Sequence, residues 1–280
     1  MKAPGEKDMK NDSQEKIMSF WSHLDELRGH LIRSFLALGL MAVLVFLSKD
    51  FVFDNIILAP KEPGFITNRV FCKIADFLSM PALCINVEPV KIINIEMAGQ
   101  FITHILISVV GGIILSIPYL LWEFWRFIRP ALKPKERANS KGAVFITSML
   151  FLTGVLFGFF LIAPLAINFL GSYQVSALVE NQIALRSYIT TVTTITLGVG
   201  ILFELPIFVY FLSRIGILTP YLMRKYRKVA IVIIIALSAI ITPPDVISQV
   251  LVGIPILFLY EASIIISARV YKKRREVIKT

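Results

Sequence analysis

Charge is scarce in this chain of 280 residues: Asp, Glu, Lys and Arg together make up 17 %, against 56 % hydrophobic residues, and the mean hydropathy is +0.74. So little charge excludes an ordinary soluble domain of this length and points to an integral membrane protein. Histidine is scarcer still. His23, His30 and His104 lie far apart, and the sequence holds no His-Glu-x-x-His pair, no phosphate-cradling glycine loop and no dinucleotide fingerprint. An intramembrane enzyme needs a nucleophile with a base, or a carboxylate cluster with a metal. Neither is found, so no catalytic residue, metal or cofactor is expected. A cleavable signal peptide is also missing, because the first thirty residues are polar and charged. The first span must therefore act as its own insertion signal. No internal repeat or low-complexity tract divides the chain, which reads as one domain over 1–280.

What is present is a series of apolar runs. Leu31–Leu47, Phe101–Trp122, Val144–Leu170 and Tyr188–Leu212 are each near the ~17 to 25 residues that cross a hydrocarbon core as a helix. A further apolar region, Val229–Ala268, is interrupted by Thr242-Pro243-Pro244-Asp245. The formal charge of +10 could suggest nucleic acid, but its placement argues otherwise. Most of the 29 lysines and arginines fall before the first span, in 123–142, in 214–228 and in the tail 269–280. By the positive-inside rule these segments and both termini are cytoplasmic. The charge thus reads as topology and contact with anionic membrane lipid, with no nucleic-acid partner. Between Lys228 and Arg269, both cytoplasmic, the chain must cross an even number of times. About forty residues of helix measure ~60 Å, enough for two crossings of a ~30 Å core. The expectation is an all-α membrane protein of six spans with spans five and six short; a re-entrant hairpin in their place keeps the same parity.

The long external segment 48–100 carries both cysteines, Cys72 and Cys84, twelve residues apart. In an oxidising compartment such a pair reads as a disulfide staple before a metal site, with buried free thiols as the alternative. Its own apolar residues suggest short helices that cap the outer ends of the spans. At the other end, Ser22 and Asp25 form a capping-box pattern, and Phe20, Leu24, Leu27 and Leu31 have the spacing of one buried helical face along the cytoplasmic interface. This leaves Glu26 and Arg28 at the inner rim, either as a solvated polar face or as functional groups. Glu136 stands among Lys133, Lys135 and Arg137, where it is either their ion partner or a site in its own right.

Glu204 is the sharpest feature. Thr196, Gly200 and Glu204 recur every fourth residue on one helix face. Gly200 leaves room for a close approach, and Pro206 removes a backbone donor and is expected to kink the span. A carboxylate at that depth must meet a polar group. Gln249 or Tyr260 of the same chain could serve, as could a partner protein or a proton pathway. Pro243, Pro244 and Asp245 form a rigid turn with Asp245 at the start of span six, where a negative charge is favoured. Tyr260 and Glu261 read as interfacial groups.

Taken in order, Ser22-His-Leu-Asp-Glu-Leu-Arg28, Phe127-Ile-Arg-Pro-Ala-Leu-Lys-Pro-Lys-Glu-Arg137, Phe203-Glu-Leu-Pro206, Thr242-Pro-Pro-Asp-Val-Ile-Ser-Gln249 and Tyr260-Glu261 resemble the TatC family, the multi-spanning core subunit of the Sec-independent twin-arginine protein translocase. The resemblance runs from Ser22 to Ala268. It implies a cup-shaped bundle of six helices in the bacterial cytoplasmic (inner) membrane, driven by the proton-motive force. The implied partners are twin-arginine signal peptides of folded cargo, TatA- and TatB-like single-span subunits, and further copies of the chain. Carried over by position, Glu26 and Glu136 would receive the arginine pair, with Arg28 and Phe127 shaping that surface. Glu204, Tyr188 and Gln249 would form the groove for a partner's membrane helix. Two departures stand out: His104 where the family often has lysine, and the length of the external loop. The alternative class is a proton-coupled small-solute or ion transporter that uses Glu204 and Asp245 as a relay; such proteins show related halves, which this sequence does not.

Overall fold

The computed structural model describes residues 20–81, 84–87, 90–128, 140–176, 178, 181–243 and 246–279. Helix α1, Phe20–Leu47, is a single helix of 28 residues. It runs past the apolar core of the first span because no proline interrupts it and its two glycines, Gly29 and Gly39, are tolerated in a helix interior. The expected separate surface helix is thus corrected. Ser22 lies inside α1, and Leu27 and Leu31, expected on a buried face, are 40 % and 54 % exposed while His30 is buried. Near His30 the face of α1 turned to protein is polar; farther along it is apolar, with Ala42 and Val45 in contact.

The inward face of α1 packs on α3, Gly99–Ile128. The two backbones come close at Gly112, where a Cβ would sit 2.7 Å from the amide nitrogen of Ala42; only glycine allows that approach. The third span joins α4, Ser140–Phe157, to α5, Ala163–Ser172, through a π-helical turn at Gly158–Ile162. The fourth joins α6, Leu185–Phe203, to α7, Leu205–Ile215, with Glu204 at the joint. A turn of helix, α8 at Pro220–Lys225, follows and is capped by the Thr219 side chain, which accepts from the Leu222 amide. Then come α9, Arg227–Ile241, and α10, Val246–Lys279.

Among the described residues, five segments are long and apolar enough to cross a membrane: Asp25–Leu47, Gly99–Ile128, Val144–Ser172, Leu185–Ile215 and Ser248–Lys272. Helix α9 is the short one. Its 15 residues measure ~22 Å, less than a ~30 Å hydrocarbon core. The sixth segment is not short, contrary to expectation, since it has 25 residues. The turn at Thr242–Pro243 divides the apolar region unevenly, and α10 continues without a break into the basic tail.

Helix α3 packs on α1, α4 and α6, and α10 packs on α7, α8 and α9. One apolar core, including Ile195, Val199, Ile234, Val252 and Ile256, lies between the fourth span and α9–α10. A second, including Val45, Ile107, Ala163, Ile189 and Val192, lies towards the outer ends of the first four spans. Outside, the long loop forms a π-helical segment at Phe51–Ile57 and helix α2, Ile66–Leu78. Cys72 and Cys84 are joined as a disulfide. Strands β1, Ile92–Ile93, and β2, Ile183–Ala184, pair in parallel with Ile92 opposite Ile183. They tie the two outer loops together beside an ion pair of Arg186 with Glu96 at 3.1 Å.

Candidate functional site

Where the first turns of α1 meet the last turns of α3, helical spacing stacks Glu26, His30 and Arg33 on one helix and Tyr119, Glu123 and Phe127 on the other. Glu123 is 1 % exposed and is the centre of the cluster. It accepts from the Tyr119 hydroxyl at 2.9 Å and from the Arg33 Nε at 3.2 Å, and its other oxygen pairs with the His30 Nδ1. Arg33 also reaches the His30 ring at 3.1 Å. Such burial of a carboxylate is tolerable only because its lone pairs are filled by charged and polar donors. The cluster welds α1 to α3.

It also places two of the expected site residues. The His30 ring meets Phe127 edge-on, with centroids 5.9 Å apart, so Phe127 lies one turn from Glu26. Glu26 is half-buried, and its Oε2 is buried without a hydrogen-bond partner among the described residues. Arg28 is exposed. Glu136, the second expected carboxylate, lies outside the described residues.

Glu204 sits at the break between α6 and α7. Pro206 cannot donate a backbone bond, and the chain responds with tighter turns: the Glu204 amide donates to Ile201 at 3.1 Å, and Ile207 donates to the Glu204 carbonyl at 3.0 Å. The side chain is 7 % exposed and both carboxylate oxygens are buried without a partner among the described residues. Neither internal candidate satisfies it. Gln249 donates to the Ile235 carbonyl at 3.2 Å, which fastens α10 to α9, and Tyr260 donates to the Met223 carbonyl at 2.8 Å.

The close approach expected at Gly200 is present and is made by α4, since a Cβ there would lie 2.8 Å from Val155 Cγ2 and 3.0 Å from the Phe151 ring. The small residue serves close packing of α4 on α6. Tyr188 is 2 % exposed and its hydroxyl donates to the Ile57 carbonyl at 2.8 Å, so it anchors the outer loop. It is also sixteen residues from Glu204, ~24 Å along a helix. A groove of about 770 Å³ opens among α1, α3, α4 and α6, lined by Val45, Ile107, Val110, Val155, Phe159 and Thr196 among others. Thr196 faces it; Glu204 is not among its lining residues.

His104 stacks on Phe46 with centroids 4.0 Å apart and bonds through Nε2 to the Phe46 carbonyl at 3.0 Å, which closes the outer end of α1 onto α3. Glu261 pairs with Arg227 at 2.7 Å between α10 and α9. Pro243 is half-buried at the α9–α10 turn, while Pro244 and Asp245 lie outside the described residues. Sequence reasoning did not single out Glu123, Arg33 or Tyr119. The rule that drew attention to Glu204 applies to Glu123 as well: an ionisable residue at the inner end of an apolar run needs a named partner.

Comparison with known proteins places these features in context. The family model described as "Sec-independent protein translocase protein (TatC)" matches residues 22–255. A protein of that name from Blattabacterium sp. subsp. Periplaneta americana (strain BPLAN) is 38 % identical over 268 residues, 95 % of this chain and 100 % of the relative. One from Aquifex aeolicus (strain VF5) is 33 % identical over 263 residues, 94 % of this chain and all of the relative. Among solved structures, a twin-arginine translocase receptor, TatC, superposes with a TM-score of 0.68 at 32 % identity, covering 88 % of this chain and 97 % of the other. A second structure of such a receptor, in the detergent DDM, gives 0.69 at 33 % identity, covering 88 % and 99 %.

Proposed function

The chain belongs to the TatC family of Sec-independent protein translocase proteins, and on that premise we propose that it is the signal-peptide receptor and assembly scaffold of a twin-arginine translocase. It is a multi-pass protein of the bacterial inner membrane that serves protein transport. As a receptor and scaffold it binds and positions its cargo and carries out no covalent chemistry.

The observation that carries the receptor reading is Glu26. Its unpartnered buried Oε2 stands at the cytoplasmic end of a welded helix pair, one turn from Phe127. A guanidinium matches a carboxylate in two parallel hydrogen bonds, which an ammonium does not, and the Phe127 ring gives the arginine plane a face to lie against. Glu136 supplies the second carboxylate, for the second arginine. Because α1 is held on α3 by the Glu123 cluster, the site is preorganised and loses little side-chain freedom on binding.

The scaffold reading rests on Glu204. Its buried, unpartnered carboxyl at a helix break is satisfied when a single-span TatA- or TatB-like subunit brings a polar side chain to it. Further copies of the chain assemble within the same complex.

The test of the receptor site is binding of a fluorescent twin-arginine signal peptide to the chain in lipid nanodiscs, beside the same peptide with both arginines replaced by lysine. Binding is expected to fall at least about tenfold with lysine, the loss of one charge-assisted bond of ~1.5 kcal/mol or more, and again in Glu26→Ala and Glu136→Ala. Equal binding of the two peptides would overturn the assignment.

A further inference from the structure

Helix α2 is inverted relative to a helix of a soluble domain. Its inward face is polar: the Thr67 hydroxyl donates to the Phe160 carbonyl. Asn68 donates to the Glu62 carbonyl at 2.8 Å and accepts from Asn86 at 3.2 Å. Asn86 in turn donates to the Pro164 carbonyl at 3.0 Å. Its outward face is apolar. Ile66, Val70, Ile74 and Phe77 follow one another at helical spacing and are between 43 % and 88 % exposed. A helix that buries hydroxyls and amides while presenting such a stripe is matched to a surrounding that is itself apolar.

The depth of α2 says what that surrounding is. Thr67 bonds to Phe160, sixteen residues along the third span from Val144, which is ~24 Å along a helix. Asn86 bonds to Pro164, four residues farther. A hydrocarbon core that starts at Val144 and is ~30 Å thick ends near Pro164. Ile66, at the N-terminal end of the stripe, shares its groove with Val155 and Thr196 of the spans themselves. The helix thus meets the spans at the level where acyl chains give way to headgroups. Along one flank of the stripe stand Arg69 and Lys73, both exposed and without a carboxylate partner among the described residues, with the exposed Asp76 on the next turn. Long cationic side chains placed there extend to lipid phosphate while their stems stay in the apolar layer. The disulfide from Cys72 and the Asn68–Asn86 bond hold the helix in this attitude from its inward side.

We propose that α2 is an interfacial helix seated in the outer leaflet, its Ile66–Phe77 stripe against acyl chains and its Arg69 and Lys73 on phospholipid phosphate. The outer loop then closes the bundle from within the membrane surface and does not float above it.

The test uses the full chain, disulfide intact, in vesicles of phosphatidylethanolamine and phosphatidylglycerol. Nitroxide labels are placed singly through Val70→Cys, Ile74→Cys and Phe77→Cys. Phe35→Cys, on the lipid side of α1, and Gln174→Cys, in the other outer loop, serve as references. Collision of each label with oxygen, which concentrates in lipid, is compared with collision with a water-soluble nickel chelate. The expected result is an oxygen-to-nickel ratio at all three positions that matches Phe35→Cys and exceeds Gln174→Cys. A ratio at the Gln174→Cys level would mean that the stripe faces water, and the proposal would be wrong. Shielding from both reagents would mean that protein covers it, a second copy being the first candidate, and would equally overturn a lipid partner. The three positions are independent, so one poorly folded variant leaves the comparison intact.

Discussion

Replacing Glu204 with methionine should stabilise the isolated chain while weakening its assembly with partners. The side chain is 7 % exposed and neither carboxylate oxygen has a hydrogen-bond partner. A buried polar group left unsatisfied costs about 1–3 kcal/mol. Methionine has nearly the same length, is unbranched and adapts to irregular space, so Glu204→Met removes that cost without opening a large cavity. The folded-to-unfolded ratio should rise by a factor of roughly 5 to 150. The assay is reversible unfolding in mixed micelles, with the midpoint compared at equal detergent composition. Glu204→Gln is the control, because it keeps a polar group at the site and should recover little of the gain. Co-purification with a single-span subunit, measured on the same preparations, should fall in Glu204→Met. A loss of stability of 2 kcal/mol or more, of the size seen when a satisfied buried group is removed, would show that Glu204 has an internal partner and would refute the reasoning.

Two other perturbations act on the frame around that site. Glu123→Ala removes the acceptor shared by His30, Arg33 and Tyr119 and should destabilise the chain by about 3 kcal/mol, the low end for breaking a buried pair, since the Arg33 side chain is 45 % exposed. Unfolding in micelles measures this, and twin-arginine peptide binding should weaken in parallel as α1 loosens from α3; an unchanged midpoint would mean the cluster is not a weld. Reduction of the disulfide, or the double change Cys72→Ser with Cys84→Ser, should cost about 3 kcal/mol at most, because the loop it closes is short, with a separation of twelve residues. The two treatments should give the same midpoint within error, and a further loss on adding reductant to the double variant would show that the effect lies elsewhere.

How the chain folds was legible where one property is repeated along it. Apolar length marked the spans, because a helix must satisfy its own backbone in lipid for ~20 residues at a stretch. The break at Glu204 was readable from Pro206, whose missing N–H acts within one turn. The local signals failed where a neighbour decides. The residues Phe20–Leu31 have the pattern of a surface helix, yet nothing in them stops α1, and its polar side turned inward because Glu123 of α3 was waiting for His30 and Arg33.

Composition and pattern alone therefore determined that this is a helical membrane protein, which segments cross, and that Glu26 and Glu204 are carboxylates in need of company. Only the tertiary structure decided what each one meets. It gave Gly200 to the packing of α4, Tyr188 to the outer loop and Gln249 to α9, and left Glu204 and one oxygen of Glu26 without partners. Hydrogen bonds reach only about 3 Å and depend on angle. Which donor finds which acceptor is set by how helices distant in sequence come together, and no window along the chain contains that information.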